Sequence, residues 1–116
     1  MALVAGPRDR RERRHGEVEE AVLADPSWIG APAMTARTWR VPPGESGPEI
    51  ARGPDEERFL FVVRGSGTAV VGAERLPLSP ESVLWLEPGD RYRLEGPAAG
   101  SEPLEVLEAW APGGSG

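Results

Sequence analysis

Few residues in this chain can do chemistry, because it has one histidine, His15, and one tyrosine, Tyr92, and no cysteine, lysine, asparagine or glutamine. Without thiols it forms neither disulfides nor thiolate metal sites, and a reducing cytoplasm is the expected location. His15 follows a run of arginines, RDRRERR, whose charge disfavours a bound cation. Polar work falls to Arg, Asp, Glu, Ser, Thr, Tyr and Trp side chains and to the backbone. Such a set suits proton chemistry. A carboxylate in apolar surroundings has its pKa raised and can act as general acid or base, and an arginine can stabilise a developing oxyanion.

Short strands must position these groups. Gly 15 and Pro 13 fall between short apolar runs, which is the rhythm of turns in an all-β domain. The segment 59–67, FLFVVRGSG, is the centre: a strand that reads as buried on both faces, closed by a Gly-Ser-Gly reversal. Phe59, Phe61 and Val63 point one way, Leu60 and Val62 the other. Residues 34–41 alternate, with Thr35, Arg37, Trp39 and Val41 on one face. Residues 83–86, VLWL, read as a second buried strand. Pro77 marks 76–78 as an edge, and 91–94 is a further strand. In the last strand, Leu104, Val106, Glu108 and Trp110 share a face. A short strand is expected near 50–52, inside the long Pro/Gly loop 45–55. Residues 17–24 fit two helical turns or a strand.

The expected divisions are a flexible basic arm over 1–16, a connecting segment over 17–33, a β-barrel over 34–112 and a flexible tail over 113–116. Charge follows them: the arm carries +3 and the remainder −9, for a net −6. An acidic body repels phosphate backbones, so no nucleic-acid partner is expected. No apolar run is long enough for a membrane span, so no membrane partner is expected either. Burial of both faces of 59–63 requires cover beyond what a small barrel can supply, which points to a homodimer.

The run PPGESGPEIARGPDEERFLFVVRGSG, followed by ESVLWLEPGDRYRL, resembles the cupin superfamily. The resemblance implies a double-sheet β-barrel of jelly-roll type. Metal-binding cupins carry two histidines and a glutamate between two glycines, then a second motif ending in histidine and asparagine. Here the histidine positions fall on Ile50 and Arg52. The glutamate position falls on Glu57 or Arg58, depending on the glycine counted from. Tyr92 replaces the last histidine, Gly96 the asparagine and Glu81 the second motif's first glycine, while Gly89 matches. At most one ligand of four survives, and an always-charged guanidinium stands at another position. No metal and no other cofactor is therefore expected.

The resemblance places the former ligand positions inside the barrel, around a pocket for a small-molecule ligand. Arg52, Glu57 and Tyr92 would be the catalytic trio. Ile50, Arg58, Leu60 and Val62 would line the pocket, with Trp39 and Trp85 as flat walls. Arg52 would hold a carboxylate, phenolate or enolate, and Tyr92 would donate a proton. The expected function is a metal-independent enzyme acting by acid/base chemistry on a small enolisable carbonyl or polyketide-like compound, as a cyclase, isomerase or dehydratase in biosynthesis. The alternative is a non-catalytic small-molecule-binding cupin, a sensor or accessory subunit.

Overall fold

The computed structural model describes residues 11–24, 35–51, 57–87 and 89–111. Ten strands run through them: β1 (Arg11–His15), β2 (Val18–Ala24), β3 (Thr35–Val41), β4 (Ile50–Ala51), β5 (Glu57–Arg64), β6 (Gly67–Val71), β7 (Glu74–Leu78), β8 (Val83–Leu86), β9 (Arg91–Glu95) and β10 (Leu104–Ala111). They form a six-stranded sheet in the order β1-β2-β3-β10-β5-β8 and a four-stranded sheet in the order β4-β9-β6-β7. Every pairing between strands is antiparallel. The fold is all-β, a cupin-type double-sheet barrel, with no helix among the described residues.

Register explains which side chains meet. Along β10, Leu104, Val106 and Glu108 stand opposite Val41, Trp39 and Arg37 of β3. On the other side of β10, Val106, Glu108 and Trp110 stand opposite Val62, Leu60 and Arg58 of β5. Strand alternation sends all of these to the inner face. The inner faces of the two sheets close on a core that includes Trp39, Val41, Leu60, Val62, Tyr92, Leu94, Leu104 and Val106.

Gly65 ends β5 in the left-handed region at φ +77°, and a Cβ there would lie 2.1 Å from the Pro103 carbonyl oxygen. Only glycine suits both the turn and the close approach. Glu81 also has positive φ, 69°. The left-handed turn thus persists at a place where the cupin pattern has glycine. Hydrogen bonds between Val62 and the Glu81–Ser82 backbone hold it against β5.

Two expectations need correction, and one open reading is resolved. Residues 11–15, expected within a flexible arm, form β1 and pair with β2. The 17–24 run, open between helix and strand, takes the strand form over Val18–Ala24, because β3 offers an edge that places Val18 and Glu20 inside. The strands 59–63 and 83–86 are not covered on both faces. Leu60 and Val62 are buried, but Val63 is 47% exposed, and β8 is a sheet edge whose Val83 and Trp85 are 49% and 68% exposed. An apolar run says that both faces avoid water, and one chain of this size covers only one of them. Pro77 does lie on an edge strand, β7.

Candidate functional site

The polar centre of the barrel is Glu108, which is fully buried. Its Oε1 accepts from Arg37 Nε at 2.5 Å and from Trp39 Nε1 at 2.9 Å. Its Oε2 accepts from Arg58 Nη1 at 2.9 Å and from the Tyr92 hydroxyl. Two donors on each oxygen fill the acceptor capacity of a carboxylate. Four strands supply the five residues. β10, β3 and β5 bring Glu108, Arg37, Trp39 and Arg58 side by side, and β9 brings Tyr92 across from the other sheet.

Arg37 extends the network. Its Nη1 donates to Glu20 Oε2 at 2.7 Å, and Glu20 Oε1 meets His15 Nε2 at 2.9 Å. The Arg37 guanidinium lies 4.8 Å from the Trp39 ring centre and 4.7 Å from that of Trp110. Arg58 lies 4.3 Å from Trp110. These are cation–π distances, favourable where water is excluded. Arg37 keeps some contact with solvent, at 15% exposure, whereas Arg58 is buried. Nη2 of Arg37 makes no hydrogen bond to a described residue.

Burial fixes the charge states. It pushes the Tyr92 hydroxyl well above the usual tyrosine range, and the adjacent Glu108 charge adds to this, more than offsetting Arg37 and Arg58. Burial alone would weaken the charge on Arg37, but Glu108 and Glu20 outweigh it and hold the guanidinium protonated. Burial would likewise raise Glu20, yet its bonds to His15 and Arg37 bring it below the ordinary carboxylate value. A phenol with its proton held in place and a carboxylate with no vacant lone pair make a rigid anchor.

The expected site is only partly assembled. Arg52 and the side chain of Glu57 lie outside the described residues. Of the two residues open for the glutamate position, Arg58 faces the interior, as do Trp39 and Tyr92. Ile50 is partly buried and pairs with Tyr92. Leu60 and Val62 are core residues. Trp85 does not wall the interior; it stands on the outer face with its ring 5.3 Å from Phe59. The crevice among Trp39, Gly47, Pro48, Ile50, Tyr92 and Leu94 has no room for a water molecule. Glu108 and Arg37 were not among the expected site residues. The alternation of 104–110 and 35–41 put each on one face with apolar neighbours, Glu108 with Leu104 and Val106 and Arg37 with Trp39 and Val41, and an acid and an arginine in phase with apolar residues on two strands is the signal that finds them.

A metal does not fit this centre. The positions that the family uses for ligands hold Ile50, Arg58 and Tyr92, and two guanidiniums already occupy the one buried carboxylate at its heart. Among the described residues, no group of three His, Cys, Asp or Glu side chains could hold a metal ion.

A double-sheet barrel with a polar centre on its inner face is a cupin architecture. The Cupin domain family matches residues 37–110, and the chain belongs to that family. No curated protein matches it. Among solved structures it is similar to a predicted oxalate decarboxylase from Thermotoga maritima, at 20% identity over 95% of this chain and 99% of that one, with a TM-score of 0.76. It is similar to KdgF from Halomonas sp., at 12% identity over 97% and 94%, with a TM-score of 0.74. A cupin 2 conserved barrel protein from Salinispora arenicola shows 22% identity over 96% and 88%, with a TM-score of 0.71. At these identities the likeness concerns the fold.

Proposed function

We propose that this cupin binds a small organic molecule without a metal, and that Arg37 meets a carboxylate or carbonyl oxygen of that ligand. The observation that carries this reading is the state of Arg37. Two carboxylates and two indole rings hold its guanidinium in place, it reaches solvent, and its Nη2 is left without a described partner. A preorganised donor loses little entropy on binding an acceptor. The test is calorimetry and thermal shift on chelator-treated protein with a panel of small carboxylates, keto acids and phosphate esters. A ligand at 100 times its Kd raises stability by about 2.7 kcal/mol. Arg37→Lys keeps the charge but loses the planar fork, and is expected to weaken binding at least tenfold. The reading fails if no compound binds, or if Arg37→Lys binds as well as the parent.

Acid/base turnover of an enolisable carbonyl compound, as a cyclase, isomerase or dehydratase, is the second reading. The hydrogen bond from Tyr92 to Glu108 favours it, because a phenol proton there stands beside a carboxylate inside the barrel. The saturation of Glu108 ranks it below simple binding. Product analysis with Tyr92→Phe separates the two: turnover that depends on the hydroxyl supports catalysis, and unchanged binding without product supports the first reading.

A further inference from the structure

We infer that His15 is a positioning residue for the Arg37 site, and that protonation of its imidazole strengthens the binding of an anionic ligand there. The inference rests on the reading of Arg37 as the ligand contact. His15 is the one histidine of the chain. It closes β1, RERRH, in which the other four side chains are exposed and His15 alone is partly buried. Its ring lies 5.4 Å from the Trp39 ring, and its Nε2 lies 2.9 Å from Glu20 Oε1. The other oxygen of Glu20 accepts from Arg37. Pairing of β1 with β2 thus brings one half-buried ring against the carboxylate that holds the ligand arginine.

Charge balance gives this contact its consequence. With His15 neutral, two carboxylates, Glu20 and Glu108, face two guanidiniums, Arg37 and Arg58, and the network carries no net charge. With His15 protonated, Glu20 is shared between two cations and neutralises Arg37 less. The network then carries one positive charge, and Arg37 is its member that reaches solvent with Nη2 lacking a described partner. Tyr92 is held well above the usual tyrosine range and Glu20 below the ordinary carboxylate value. Between about pH 5.5 and 8 both keep their charge state, whereas an imidazole changes its own. Neutral or charged, Nε2–H can donate to Oε1, so the hydrogen bond survives and the change is electrostatic.

The other charged groups near the ring form a constant background. On β1, Arg11 and Arg13 share the face of His15, while Arg14 turns outward to Glu19 at 2.7 Å. Glu17, in the turn after His15, is exposed. On β3, Arg37 shares the inner face, and Arg40 turns outward to Glu105. The 42–49 segment approaches β2 where Gly47 meets Val18, and it carries Glu45 and Glu49, the latter 3.6 Å from Arg91. Carboxylates and guanidiniums as classes titrate outside the imidazole range.

The test has a ligand-free arm and a binding arm, both on the full chain. In the first, nitrogen-15 NMR follows the Arg37 Nε–H signal, identified by its loss in Arg37→Lys, from pH 5.5 to 8. It should shift in step with the ring protons of His15. The step should vanish in His15→Gln, which keeps a donor for Glu20 but does not titrate. In the second, calorimetry measures binding of pyruvate, whose carboxylate stays ionised throughout. Affinity should be about tenfold higher at pH 5.5 than at pH 8, an ordinary size for coupling between two sites. His15→Gln should bind at both pH values as the parent does at pH 8, and His15→Arg as the parent does at pH 5.5. An Arg37 signal indifferent to His15 would overturn the inference, and so would the same pH dependence in parent and His15→Gln. Should the signal follow His15 while pyruvate and the other carboxylates of the panel bind at no pH, Arg37 is not the ligand contact, and the strengthened binding falls with that reading.

Discussion

Replacing Glu108 by alanine is the most direct test of the polar centre. The change removes the acceptor of four donors at once, from Arg37, Trp39, Arg58 and Tyr92. Arg37 keeps Glu20 and a path to solvent, so its loss is softened. Arg58 is buried, and its 2.9 Å ion pair with Glu108 is lost. Breaking a buried ion pair from one side costs about 3–5 kcal/mol. For a chain of this length each kcal/mol shifts Tm by about 4 °C, so the expected fall is about 12–20 °C. Glu108→Gln should fall by about half as much. Its amide oxygen still serves the donors to one side, but its NH2 stands against the donors on the other. Differential scanning calorimetry with urea unfolding measures both. The deficit should persist in 1 M NaCl, because salt screens buried pairs far less than exposed ones. A loss below about 1 kcal/mol, or one that vanishes in high salt, would refute the view that Glu108 anchors the barrel.

Tyr92 is the only tyrosine, so phenolate absorbance near 295 nm reports it alone. Its folded pKa lies above the unfolded value of 10.0, so stability holds below pH 10 and falls as pH rises above it. The signal should appear together with unfolding, and an independent titration near pH 10 would count against burial of the hydroxyl. Glu20 has the opposite sign. Its folded pKa lies below the ordinary carboxylate value of 4.5, so its contribution is present above pH 4.5 and is lost as pH falls further. Glu20→Gln should flatten that acid limb in urea titrations at stepped pH. Glu81→Gly relieves a left-handed backbone and should raise Tm slightly, by up to about 1 kcal/mol of stability. Gly65→Ala introduces both the left-handed strain and a contact with Pro103, and should lose more than about 2 kcal/mol or fail to fold.

The strand rhythm was readable because turn glycines and prolines separate short apolar runs, and alternation then assigned faces correctly in 35–41 and 104–110. Arg37 and Glu108 each shared a face with apolar residues in that pattern, and the structure shows both faces to be inner. What the pattern could not supply was register, and only register sets Glu108 beside Arg37 and Arg58. The 17–24 run stayed ambiguous between helix and strand because its structure depends on an edge, that of β3, formed elsewhere in the chain. Counting from family glycines left Glu57 and Arg58 open for one position. Strand phase selects Arg58, since it shares the inner face with Leu60 and Val62.

Each open sheet has two borders where unpaired backbone groups can recruit foreign strands. On the small sheet, β4 is only two residues long, and β7 carries Pro77 in mid-strand. On the large sheet, β1 is the arginine-rich RERRH. These three borders resist templated growth through brevity, a missing amide donor and like-charge repulsion. The fourth, VLWL, has no such guard among the described residues. At high concentration the chain should begin to precipitate along that border, and Val83→Lys is the substitution that would keep it in solution.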